Sequence, residues 1–379
     1  MKTAVKPMNV LKFAGAFVAF MIGSGFASGQ EIMQFFTSFG YWGIAGALIS
    51  AVLFAWSGVA LMGRGYDIKD EGDSITKHSF DYWMVFKEKG NSPLYYIGKG
   101  ISIFFEWFIP IFLYSVVVIM VSGAGATFNE YFGLPVQIGC LIMALLVLVS
   151  VLFGLRRLID IIGTLGPLTI AFTILIAVVA LIRNPEGLSK VGTVLQAAEI
   201  PKPDGANTWW IAGVLYVAYN VTGSVPFLTS MGAGASSRRE ATLGATLGSV
   251  MLMAAGILLL LGQLAYAGDV ASLDVPNLYL GNMISPVIGT IFAVILLGEI
   301  FSTAAPMLWV TCDKFTKEGT VWHKVLTVAL SVLAFFGGQL PFGRLVGTVY
   351  PYMGYLGIFF FICVIVRQIL ERKAKKLKA

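Results

Sequence analysis

Three acidic residues, Glu31, Glu106 and Glu299, stand inside long apolar stretches where no lysine or arginine lies equally deep. A charge at the centre of a membrane helix costs on the order of 2.5 to 3.5 kcal/mol. Such carboxylates must therefore be protonated, paired with a solute or turned toward water. A neutral acid bonded to a neighbouring helix is the plainer alternative for each. Glu106 and Glu299 suit proton sensing or holding a cation. Glu31 is a coupling or gating candidate expected to line the outer vestibule.

Two further stretches could do chemistry through their backbone. Gly23-Ser24-Gly25-Phe26-Ala27-Ser28-Gly29 and Thr222-Gly223-Ser224-Val225-Pro226 interrupt apolar runs with the residues least suited to a helix. Glycine leaves its backbone free, and proline removes an amide and clashes with the preceding turn. Peptide groups freed in hydrocarbon must face a cavity or a solute. The amides of Ser24, Gly25 and Phe26 would meet a carboxylate, and the carbonyls before them a cation. Gly23, Ser24, Gly25, Phe26, Glu106, Tyr219, Asn220, Thr222, Gly223 and Ser224 form the candidate solute site. Phe26, Trp107, Tyr114, Tyr219 and Phe227 could wall it. Close helix packing by small residues is the alternative account of the glycines.

Other chemistries lack their residues. His78 and His323 fall in polar connections, and Cys140, Cys312 and Cys363 have no metal-ligand or redox spacing. No P-loop pattern is present, so no ATP engine or other cofactor is expected, and the chain does not read as an enzyme. The formal charge of +6 comes from short basic clusters between apolar runs and does not indicate nucleic acid.

The elements that must position these groups are membrane helices. Apolar residues make up 57% of the chain and charged ones 12%, outside the soluble range. The runs are apolar on every face, which excludes the alternation of barrel strands. They predict about ten spans, near residues 9–37, 41–63, 97–125, 134–154, 158–182, 207–235, 239–266, 280–311, 321–339 and 345–367. With both termini cytoplasmic, all 26 lysines and arginines except Arg183, Lys190, Lys202 and Arg344 lie inside. The first run mimics a secretory leader, but the repeat described next requires it as a span. Residues 80–89 read as a short interfacial helix.

The halves echo one another. Val18-Ala19-Phe20 matches Val217-Ala218-Tyr219, Glu106-Trp107-Phe108 matches Glu299-Ile300-Phe301, and Gly163-Thr164-Leu165-Gly166-Pro167 matches Gly347-Thr348-Val349-Tyr350-Pro351. Five spans per half invert the second relative to the first. The expected organisation is an all-α integral membrane protein with a 5+5 inverted repeat and helices 1 and 6 broken at mid-membrane. Residues 1–183 form one repeat, 184–206 an extracellular connection, and 207–379 the second repeat with a basic cytoplasmic tail. Pro167 and Pro351 would be flexing points.

Ten spans, paired breaks and the inverted repeat resemble the LeuT-type fold of the amino acid-polyamine-organocation (APC) superfamily. The stretch GSGFASGQE, from Gly23 to Glu31, is similar to a bacterial branch labelled YkvI-like. The resemblance implies a sodium site made by carbonyls of Ala19, Ile22 and Glu299 with the hydroxyls of Ser302 and Thr303. Adjacent Ser-Thr pairs also commonly bond only their own helix.

The expected function is cation-coupled symport of a small organic solute, such as an amino acid, amine or related zwitterion, by alternating access. Sodium is favoured over the proton as coupling ion. The partners are the solute and the lipid bilayer, and the expected location is the inner (plasma) membrane. A ligand-sensing receptor or ion conduit on the same fold is the alternative.

Overall fold

The computed structural model describes residues 5–71, 79–86, 93–153, 159–197 and 200–378. Its helices are α1 (Pro7–Met21), α2 (Ser24–Ser28), α3 (Gln30–Phe35), α4 (Trp42–Asp67), α5 (Asp81–Met84), α6 (Pro93–Phe132), α7 (Val136–Phe153) and α8 (Ile159–Arg183). After them come α9 (Val191–Ala197), α10 (Trp209–Ala233), α11 (Arg238–Ala265), α12 (Ala267–Val270), α13 (Pro276–Ile284), α14 (Pro286–Phe315), α15 (Val321–Gly337) and α16 (Phe342–Lys378). The described residues contain no strand.

Seven of these helices are long and apolar enough to cross a membrane: α4, α6, α7, α10, α11, α14 and α16. A pair bent by 80°, Pro167–Arg183 with Pro185–Ala197, makes an eighth where it counts as one span. The expected first and ninth spans are carried by shorter apolar helices, α1 and α15. Each has a local stop: α1 unwinds at Ile22-Gly23, and α15 ends at Gly337-Gly338. The predicted stretch 280–311 divides between α13 and α14, because Ser285 takes an extended conformation and caps α14 by accepting from Val287 N at 3.2 Å.

Lipid rather than water explains the outer surface. On α7, Leu141, Leu145, Leu146 and Val149 stay exposed, while Gly139, Cys140, Met143, Ala144 and Val147 turn inward. Inside the bundle, small residues set the spacing. Gly65 of α4 lies against the carbonyl of Thr229, and Gly232 of α10 against that of Met62; a Cβ at either place would collide with backbone. This reciprocal contact locks α4 to α10. At the start of α11, Ser237 caps the helix, and Glu240 accepts from the backbone amide of Lys6 at 3.0 Å, fastening α1 beside α11.

The expected first span is interrupted at Ile22-Gly23 and turned at Gly29, while Ser24–Ser28 between them is helical, so the irregular backbone is shorter than the sequence suggested. Ile22 and Gly23 are extended, with ψ of 107° and −178°, between α1 and α2. Gly29 then turns the chain into α3 with φ of 88°, a left-handed conformation that glycine adopts without strain.

The sixth span is not broken, which corrects the expectation. It runs as one helix, α10, through Thr222, Gly223, Ser224 and Pro226. Glycine and proline are tolerated inside a membrane helix that its neighbours hold in place, and here the local polar side chains bond back to their own turns. Asn220 Nδ2 donates to Tyr216 O at 2.9 Å, Thr222 Oγ1 to Ala218 O at 2.6 Å, and Ser224 Oγ to Asn220 O. Pro167 and Pro351 likewise lie within continuous helices.

The predicted interfacial helix is also revised. Only Asp81–Met84 is helical, and residues 87–92 lie outside the described set. Phe80, Trp83 and Met84 are buried, with Phe80 stacked on Phe105 of α6 and edge-on to Phe360 of α16. The segment therefore docks on protein, because its aromatic residues find packed partners there.

Candidate functional site

A cavity of about 570 Å³ opens where α1, the Ile22-Gly23 gap, α6, α10 and α14 meet. Its wall includes Ala19, Phe20, Ile22, Gly23 and Glu31 from the first span, and Tyr219, Asn220, Gly223, Ser224 and Phe227 from α10. Glu299, Ser302 and Thr303 come from α14, Phe112 and Met120 from α6, and Tyr350 from α16. A site of this size suits a small molecule.

The break supplies polar backbone to this wall. The ladder of α1 closes with Ile22 N on Val18 O at 2.9 Å, and the next backbone bond is Ala27 N on Gly23 O at 3.1 Å. The carbonyls from Ala19 to Ile22 are thereby left out of both ladders. Ala19 and Ile22 both line the cavity, as do Ser302 and Thr303. Ser302 Oγ donates to Glu299 O at 2.9 Å, which leaves its lone pairs available. This donor set of neutral oxygens suits a small hard cation.

Glu31 is placed differently from expectation. It reaches the central cavity, not only an outer vestibule, and is 4% exposed. The left-handed turn at Gly29 redirects α3, and the Glu31 side chain folds back until its carboxyl covers the Cα of Gly25. It lies beside the hydroxyls of Tyr216 and Tyr219. Glu31 Oε2 and both tyrosine hydroxyls are buried without a partner at full hydrogen-bond geometry. Buried polar atoms left so cost roughly 1 to 3 kcal/mol each, which a polar ligand or water would relieve.

Glu299 is 4% exposed and accepts from Thr169 Oγ1 of α8 at 3.3 Å. Glu106, expected in both the solute and coupling sets, is half-buried and is not on the cavity wall. The repeat places the two glutamates in equivalent spans, but only α14 presents its acid to the cavity. Ser24, Gly25 and Phe26 are fully buried behind the wall, and the Thr222 hydroxyl is spent on its own helix. Trp107 lies under the Lys314 ammonium, 4.7 Å from its ring centre, and Tyr114 donates to Leu330 O at 2.9 Å. Neither aromatic walls the cavity.

Several wall residues had no individual prediction. Tyr350 stacks on Tyr219 with ring centres 4.5 Å apart, and its position inside the Gly347–Pro351 repeat match was the available signal. Phe112 and Met120 carry no signal distinct from ordinary packing residues. The three cysteines are free and buried, and the described residues hold no cluster of His, Cys, Asp and Glu fit for a metal.

On the far side of the break, polar side chains seal the first span to its neighbours. Gln263 Nε2 donates to Gly29 O at 2.9 Å, Asn277 Nδ2 to Ala27 O at 2.8 Å, and Thr37 Oγ1 to Gln263 Oε1 at 2.8 Å. Gln34 Nε2 donates to Gly343 O at 2.6 Å. These bonds hold α2 and α3 against α11, α13 and α16.

No protein-family model matches the chain. It is similar to the uncharacterized membrane protein YkvI of Bacillus subtilis (strain 168), 26% identical over 366 residues, which are 96% of this chain and 97% of that one. It is also similar to YyaD of the same organism, 20% identical over 352 residues, 93% and 95% of the two chains. Among solved structures, inward-facing Mhp1 aligns with a TM-score of 0.58 at 12% identity, covering 92% of this chain and 73% of that one. A manganese transporter of Eremococcus coleocola aligns at 0.55 and 13% identity, covering 98% and 87%. MhsT in complex with L-phenylalanine aligns at 0.54 and 16% identity, covering 90% and 80%. The chain is thus a multi-span membrane protein homologous to YkvI, with the LeuT-type fold of these transporters.

Proposed function

We propose that the protein is a cation-coupled secondary transporter of a small organic solute, within the class of amino acids, amines and related zwitterions, working by alternating access. The observation that carries this reading is the meeting of the unwound Ile22-Gly23 segment with Glu299, Ser302 and Thr303 on one cavity wall. Its likeness in fold to Mhp1 and MhsT supports the same reading.

Sodium is the coupling ion in this proposal. The carbonyls of Ala19, Ile22 and Glu299 and the hydroxyls of Ser302 and Thr303 would hold it. Such an ion would bridge α1 and α14 and so link solute binding to the relative position of two helices. Alternation would then require the bonds of Gln263 and Asn277 to the first span to break when the far side opens.

Uptake of labelled solutes into proteoliposomes under an imposed sodium gradient tests the proposal. Accumulation that collapses with the gradient is the expected result. Binding without flux under sodium and proton gradients would overturn it in favour of a receptor.

A further inference from the structure

The cavity is acidic. Its wall carries two carboxyl groups, Glu31 and Glu299, and among the described residues no lysine, arginine or histidine. Both acids are 4% exposed, so bulk water compensates neither of them well. The remaining wall is mainly aliphatic and aromatic, with Phe20, Phe112, Phe227 and Tyr219 among its rings.

A solute carboxylate has nowhere favourable to bind in such a space. The backbone near the break is where one would be expected, yet the chain's own Glu31 carboxyl already covers Gly25 there. A second carboxylate would face like charge at low dielectric, with no cationic side chain among the described wall residues to offset it. An ammonium group gains what an anion loses. It could pair with Glu31 or Glu299 and rest against ring faces, whose negative quadrupole attracts a cation. The apolar wall then asks for an apolar body on the same molecule.

Resting on the transporter reading above, we propose that the solute is an organic cation lacking a carboxylate: a protonated or quaternary amine with an apolar body, countered by Glu31 and Glu299. Glu31 stands where a zwitterion would bring its own acid. The unpartnered Glu31 Oε2 and the Tyr219 hydroxyl supply acceptors for the ammonium protons.

Three probes sharing one phenylethyl body separate the charge types: 2-phenylethylamine, phenylalanine and 3-phenylpropionate. Binding is measured on the detergent-purified protein by calorimetry and thermal shift, without any need for flux. The amine is expected to bind at least about tenfold tighter than either other probe, a ratio worth about 1.4 kcal/mol. Equal or tighter binding of phenylalanine or 3-phenylpropionate overturns the proposal, and so does failure of the amine to bind. Glu31→Gln and Glu299→Gln, which keep side-chain shape, are expected to weaken the amine about tenfold each. In Glu31→Gln the discrimination against phenylalanine should also shrink, a change that general loosening of the fold does not produce. Full amine affinity in both variants overturns the assigned counter-charges. The comparison of probes on the parent protein stands even where a variant folds poorly. Phenylalanine uptake without amine binding would sink this inference and leave transport intact, whereas amine binding without flux would do the reverse.

Discussion

Phe20 of α1 and Phe227 of α10 stack face to face across the cavity wall, with ring centres 3.7 Å apart and planes 8° from parallel. Phe20 belongs to the last turns of α1 before the break, and Phe227 directly follows Pro226. The pair therefore ties the end of α1 before its break to the middle of the continuous helix α10. A double-mutant cycle with Phe20→Ala and Phe227→Ala, read by melting, should give a coupling of about 0.5 to 1.5 kcal/mol. Strictly additive single variants would show that the rings merely fill space.

The oxygen set at the break makes a separate prediction. Ser302→Ala with Thr303→Ala removes two hydroxyls from the cavity wall and leaves the carbonyls of Ala19 and Ile22 in place. Sodium should raise the melting temperature of the parent and leave this variant nearly unmoved. Melting that still climbs with sodium as in the parent would place the ion elsewhere.

Gly29 and Gly232 test the packing of the bundle. Gly29 has φ of 88°, and a Cβ there would also collide with Asn277 and Gln263, the residues that seal the first span. Gly29→Ala should cost at least about 1 to 2 kcal/mol from backbone conformation alone. Gly232→Ala meets the Met62 carbonyl and should lower stability by about 1 to 3 kcal/mol through overpacking. Melting curves of both variants, compared with Gly100→Ala in open space, check this.

Asp274, in the connection between α12 and α13, makes a prediction about pH. Burial holds its carboxyl above the usual aspartate value, opposed by bonds from the amides of Gly343 and Phe342. A raised acid binds more protons folded than unfolded, so its contribution falls as pH rises from the ordinary value of 3.8 through the raised one. Asp274→Asn keeps an acceptor for Gly343 N and removes the charge. Its melting temperature should gain on the parent as pH rises above 3.8. A constant difference across that rise would show that Asp274 does not titrate there.

The membrane class, the elongated apolar helices and the break at Gly23 were legible because each depends on local residue type. Hydrocarbon demands long apolar runs, and glycine and serine hold a helix only weakly. The second break was misread at Thr222 to Pro226 for an equally physical reason: the hydroxyls of Thr222 and Ser224 and the amide of Asn220 bond back to their own helix. Their residue types suit a break and a continuous helix alike.

Of the candidate site, the residues themselves singled out Gly23, Glu31, Tyr219, Asn220, Gly223, Ser224 and Glu299, and the fold resemblance added Ala19, Ile22, Ser302 and Thr303; the bundle brings all of them to one wall. The sequence also proposed Glu106, Ser24, Gly25, Phe26 and Thr222, which face elsewhere. The difference lies in direction, since composition shows that a polar residue is present in a span while helix rotation decides what it meets. Tertiary structure alone turned α3 at Gly29 so that Glu31 covers Gly25, and alone brought Tyr350 onto Tyr219. A charge inside an apolar run can be read from the chain, but the groups that answer it come from α8, α10 and α16, and only packing brings them together.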